Sequence, residues 1–285
     1  MGRLVFSSVA QANLLPDQRY WAPWEARVRT AAKNLRDETS LSHDGIMVDF
    51  ARFTPREYLL SWATIVGGVE LELDPNYYIV PPHCKWVNDN GNAWSNQVLL
   101  ESYKSFIWAE NYLEHIQIPA LSKGKILDAV AWVAREIEPG RREPIPTVFV
   151  DILVATHKTK HPKLIEDIRA GRLNGLSMGC NITHSQCGRC GKTFIEGEDE
   201  QCDHLQRQIR KYFKGKDGKR HRVAELCGIR GKPGSCEFIE ASWVATPAFK
   251  PAVRHDSLKV GDTWTGRPLR AIIPKRRIKE AAREE

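Results

Sequence analysis

No run of this chain is apolar for long enough to span a bilayer, so a membrane helix is not expected. The N-terminus MGRLVFSSVA lacks the apolar stretch of a secretory signal, and Phe6 stands where a Met-Gly myristoylation site needs Ser or Thr. Neither export nor lipid anchoring is expected, which points to a cytosolic protein. Internal repeats and low-complexity segments are also lacking, which removes repeat architectures from consideration. There is no RNP-type aromatic motif and no helix-turn-helix pattern, so a nucleic-acid partner is not expected despite a formal charge of +7. Much of that charge sits in RQIRKYFKGKDGKRHR (207–222) and RPLRAIIPKRRIKEAAREE (267–285). Such runs are usually solvated faces, and attraction to an acidic protein would need the same charge. The cysteines number 7, an odd count clustered around one C-x-x-C, which suits reduced thiols and a metal better than a disulfide framework.

What is present is enough for one substantial core with appendages: 285 residues, 42% of them hydrophobic. Residues 1–60 read as an N-terminal extension with helix-like stretches such as WEARVRTAAKNLRDE and no recognisable chemistry. From SWATIVGGVELEL onward, β-branched and aromatic runs bounded by Pro and Gly predict strands: NYYIVPP, KILDAVAWVA, TVFVDILVATH and EFIEASWVATPAF. Helices are expected in NQVLLESYKSFIW and over 162–170. Strands dominate, so the expected class is α+β with a β-rich, barrel-like core over 61–255, followed by a basic tail at 256–285.

Cys187-Gly-Arg-Cys190 forms a metal-binding knuckle, and Cys202-Asp-His204 follows it. Zinc takes four soft or borderline ligands in a tetrahedron, and a pair two residues apart supplies half of it from one turn. Cys187, Cys190, Cys202 and His204 are therefore expected to hold a structural zinc in a cysteine-rich insert, 183–236. Cys227 and Cys236 are alternative ligands. With four protein ligands no position stays open for substrate, so the ion is not expected to be catalytic.

Gly175-Leu-Ser-Met-Gly179 matches G-x-S-x-G, the nucleophile elbow of α/β-hydrolases. That elbow runs strand, serine, helix. Here HPKLIEDIRAGRL precedes the serine, with Pro162 suited to a first helical turn, Leu164, Ile165 and Ile168 at helical spacing, and Gly171 suited to a C-terminal cap. LSMGCNITHSQC after it reads as a strand. The order is reversed, so the elbow match is accidental, although Ser177 itself remains a candidate nucleophile. A serine needs a histidine base, and spacing does not choose among 9 histidines, of which His157, His161 and His184 are nearest in sequence.

Three stretches in order resemble the prohead (head-maturation) proteases of tailed bacteriophages, relatives of the herpesvirus assemblins. They are VNDNGNAWSNQVLLESYKSFIWAENYLEHIQIPALSKGKILDAV (87–130), VFVDILVATHKTKHPKLIEDIRAGRLNGLSMGC (148–180) and FIEASWVATPAFKPAV (238–253). The resemblance implies a protease domain over 61–255 built as an assemblin-like β-barrel with flanking helices, interrupted by the insert. It implies that Ser177 is the nucleophile, His115 the base and Glu240 the third member, with Asp203 and His204 as rivals for that last post. Its implied substrates are scaffold and major capsid proteins and the chain itself, inside the prohead in the host cytoplasm, with self-association. Some branches of the family cut after a glutamate preceded two positions earlier by Leu or Ile, which puts a self-cleavage after Glu280 in Ile278-Lys-Glu280-Ala281. The competing expectation is a non-enzymatic zinc-containing protein that binds nucleic acid or assists capsid assembly.

Overall fold

The computed structural model describes residues 3–11, 13–14, 53–54, 56–68, 87–136, 145–216 and 218–245. The expected helix in 24–38, the strand NYYIVPP, the basic tail and the Glu280 site lie outside the described residues. Strands dominate what is described. The first is β1 (Arg3–Gln11), and one residue after it comes β2 (Asn13–Leu14). Next are β3 (Tyr58–Gly67), the short β4 (Asn92–Ala93), α1 (Asn96–Ser102), β5 (Glu110–Leu113), β6 (Gly124–Glu136) and β7 (Ile145–His157). Then α2 (Pro162–Arg169) leads through a turn into β8 (Gly175–Ile182). After an excursion the chain returns in β14 (Cys236–Val244).

These strands form an eight-stranded sheet ordered β1-β8-β14-β5-β6-β7-β3-β2. Its first and last strands are separated in sequence by a single residue, so the two edges lie within about 7 Å at that point, and the sheet curls back on itself as a half-barrel. Register shifts at Ser8–Gln11, Thr64–Val66, Ile126–Asp128 and Phe238–Glu240 supply the curvature, since a bulge bends its strand and increases the local twist. At Gly124 the strands run so close that an added Cβ would sit 1.8 Å from the Ala155 carbonyl oxygen.

One face of the sheet meets the helices. Val148, Val150, Ile152 and Val154 of β7 and Leu176, Met178, Cys180 and Ile182 of β8 alternate onto it and pack with Val98 and Leu99 of α1 and Leu164, Ile165 and Ile168 of α2. Pro162 opens α2 and Gly171, at φ 72°, follows its end, as the sequence predicts. Phe106 stacks on Phe238 at 4.3 Å between centroids, which closes the core over β14.

The excursion between β8 and β14 contains β9 (His184–Cys187), β10 (Thr193–Ile195), α3 (Asp203–Gln208), β11 (Tyr212–Lys214), β12 (Arg220–Arg222) and β13 (Glu225–Cys227). It leaves and rejoins the sheet at one place, because Cys236 pairs with Ile182. A small sheet ordered β10-β9-β13-β4 ties it to the rest of the chain. Among the described residues no helix is long and apolar enough to cross a membrane.

Candidate active site

Alternation puts Leu176, Met178 and Cys180 on the core face, so Ser177 and Gly179 point to the opposite face of β8. On the neighbouring β14, Phe238 faces the core and so do Ala241 and Trp243, three and five residues later. An unbroken strand would not do this. The register shift at Phe238–Glu240 changes the parity and turns Glu240 and Ser242 to the face that carries Ser177. Ser242 then stands opposite Ser177, and Glu240 opposite Gly179.

Gly179 makes room for the acid: a Cβ there would lie 2.5 Å from Glu240 Oε1. That is a close-approach reason for the second glycine of the G-x-S-x-G match, unrelated to an elbow. Ser177 sits inside a strand preceded by a helix, so the structure agrees with the reversed order read from the sequence.

His115 arrives from the other side. β5 runs parallel to β14, with Tyr112 opposite Ser242, and ends in a turn where Glu114 and His115 both take positive φ, 49° and 58°. Left-handed backbone is uncommon outside glycine and is held here by neighbours. The Glu114 N–H donates to the Trp243 carbonyl at 2.9 Å, and the Glu114 carboxylate accepts from the Ala245 N–H at 2.8 Å. Beneath the turn a buried chain locks β5 to β14. The Trp243 indole donates to Thr156 Oγ1 at 3.0 Å, Thr156 donates to Asn111 Oδ1 at 3.2 Å, and Asn111 Nδ2 donates to the Ala241 carbonyl at 2.7 Å.

The turn folds the imidazole back over β14. Nε2 lies 2.8 Å from Ser177 Oγ and Nδ1 lies 2.6 Å from Glu240 Oε1. A carboxylate only accepts, so Nδ1 carries the hydrogen and Nε2 is left to accept from the Ser177 hydroxyl. The other Glu240 oxygen accepts from the Ser242 hydroxyl. Glu240 is fully buried and Ser177 nearly so, while 22% of the His115 side chain is exposed. Burial, followed by the charges of Glu110 and Glu240, raises the Tyr112 phenol above its usual range.

Comparison with family models, with curated proteins and with solved structures finds no match for this chain. The site therefore has to be read from its own geometry.

Three histidines near the serine in sequence go elsewhere. His161 Nε2 meets the Ser122 carbonyl, His157 packs on the Tyr58 ring, and His184 lies beside Thr183 and Lys232. Burial, followed by Lys123 for His161 and Lys160 for His157, lowers both pKa values. Of the rivals to Glu240, Asp203 pairs with Arg207 and His204 lies in the cysteine cluster. Sequence reasoning missed Ser242 and Glu114. E-A-S at 240–242 shows two polar residues on one strand face, but the bulge that selects the face has no local signature.

The second candidate site is the group Cys187, Cys190, Cys202 and His204, whose ligand atoms all lie within 4.8 Å of one another. Cys190 Sγ and Cys202 Sγ are 3.6 Å apart, and Cys202 Sγ is 4.0 Å from His204 Nδ1. Zinc–sulfur bonds of about 2.3 Å in a tetrahedron put sulfurs about 3.8 Å apart, so the spacing fits an ion. Burial pushes the Cys187 thiol up to about 12. At Cys202 burial acts in the same direction, but the Leu205 N–H and the Cys190 and Cys187 thiols outweigh it and the net shift is downward. Cys227 and Cys236 do not join this group; both are buried in the main core.

Proposed function

We propose that this chain is a serine endopeptidase of the phage head-maturation kind, with the half-barrel as an assemblin-like fold. The observation that carries this is the hydrogen-bonded line Ser177–His115–Glu240, assembled from two strands and the turn after β5 by residues distant in sequence. Ser177 Oγ attacks a peptide carbonyl while His115 Nε2 takes its proton. The imidazolium formed is stabilised by Glu240, which Ser242 holds from its far oxygen. His115 then protonates the leaving amine, and water, deprotonated by the same nitrogen, releases the acyl group. The resemblance of 87–130, 148–180 and 238–253 to prohead proteases supports scaffold and major capsid proteins as substrates, together with the chain itself, inside the prohead. Cys187, Cys190, Cys202 and His204 would hold zinc as a structural ion that orders the insert and takes no part in the reaction.

Two experiments test this. Diisopropyl fluorophosphate should add one phosphoryl group, mapped by mass spectrometry to Ser177, and His115→Ala should abolish the labelling. Co-expression with the neighbouring capsid and scaffold proteins should give cleaved products that vanish with Ser177→Ala. Processing that persists in that variant would sink the proposal and favour the zinc-containing binding protein.

A further inference from the structure

The proposed chemistry leaves one organised surface unused. In the ribbon of β11 and β12, Tyr212 stands opposite Arg222 and Lys214 opposite Arg220. Alternation therefore puts Tyr212, Lys214, Arg220 and Arg222 on one face and Phe213 and His221 on the other. The second face is turned inward, with His221 buried and Phe213 against the apolar cluster of Cys187, Phe194, Leu205 and Val223. The first looks outward, with Tyr212 53% exposed.

The Arg220 guanidinium lies 3.8 Å from the Tyr212 ring centroid, and that of Arg222 lies 5.8 Å away. Arg222 is steadied by donating to the carbonyls of Arg210 and Val87. Beside the stack is a shallow depression of about 370 Å³ lined by Tyr212, Phe213, Lys214, Gly218 and Arg220. Among the described residues no carboxylate pairs with Lys214, Arg220 or Arg222, and Asp217 is the only acid between Arg207 and Arg222 in the sequence.

We propose that this face binds single-stranded nucleic acid, with phosphates on Lys214 and Arg222 and a base on the Arg220–Tyr212 stack. The stack decides between polyanions. An acidic peptide needs cations but gains nothing from a flat, layered guanidinium and phenol, whereas an unpaired base offers a π-face that fills such a platform. A duplex hides that face within its own stack. The sequence alone shows only a basic run; the pairing register is what collects the cations and the tyrosine on one side.

The test uses full-length protein carrying Ser177→Ala, which excludes self-cleavage, and a fluorescein-labelled oligo(dT) read by anisotropy. The two phosphate contacts should make binding about sevenfold weaker at roughly 200 mM than at roughly 50 mM salt. Tyr212→Leu and Arg220→Lys should each weaken it about tenfold, the second without a change of charge, while Lys214→Gln should flatten the salt dependence. Absence of binding at the lower salt overturns the proposal. So does parent-like affinity in both stacking variants, and so does displacement of the oligonucleotide by polyglutamate at equal charge concentration, which assigns the face to an acidic protein instead.

Discussion

In the eight-stranded sheet, Ser177 and Glu240 are held by strand register above one continuous apolar core, and the same pairing that builds the fold builds the site. The excursion between β8 and β14 has no such core. Its apolar side chains fall into small groups, Cys187, Phe194, Leu205 and Val223 in one and Ala224 and Leu226 with Val87 and Ala93 in another, and three of the four residues that could hold a metal, Cys187, Cys190 and Cys202, belong to the first group or pack against it. One region is organised by burial, and the other gathers three thiols and an imidazole that could hold a metal ion. The two are therefore open to different injuries: the sheet to steric intrusion at a close contact and, if the cluster holds a metal ion, the insert to its removal.

The sharpest test of that separation is Ser177→Ala. It should lower peptidase turnover at least about 10⁴-fold while leaving zinc content and the melting of the insert at parent values. Coupled loss of zinc would show that the two regions are not independent.

Metal removal probes the other side. Purified, reduced protein should carry one zinc, and less than about half an equivalent would count against the site. Chelation, or Cys190→Ser, should open 183–235 to limited proteolysis before the strands of the sheet lose hydrogen-exchange protection. Simultaneous exposure of both regions would show a single cooperative unit.

Gly179→Ala should act within the sheet alone. Its methyl meets Glu240 Oε1 at 2.5 Å, so the acid must shift, and turnover is expected to fall about 100-fold. Unchanged turnover in a folded variant would remove Glu240 from the mechanism. Ser242→Ala, which takes one donor from that carboxylate, should cost about tenfold in kcat with KM retained. Restoration by Ser242→Thr would mark a positioning role. The smallest effect concerns the tail: active enzyme should lose Ala281 to Glu285 by a cut after Glu280, seen by intact mass and missing in Ser177→Ala. An untrimmed terminus in active enzyme refutes that cut.

Much of this was legible residue by residue. The β-branched runs of β6 and β7 sit where strands are expected, because a buried strand is selected for those side chains locally. α2 carries its own start and stop in Pro162 and Gly171. The choice of His115 and Glu240 was of another kind, since spacing names neither and only the resemblance does.

Whatever depends on neighbours along the chain can be read from the sequence: strand runs, the helix before Ser177 with its Pro162 start and Gly171 stop, and a candidate metal-ligand set that runs from Cys187 to His204. Tertiary structure alone decided which histidine reaches the serine, which of the cysteines belong to the core, and which face of β14 carries Glu240. Those outcomes rest on pairing register and on one extra residue between Phe238 and Glu240. Register is set by the sum of contacts across strands far apart in sequence, and no local pattern encodes that sum.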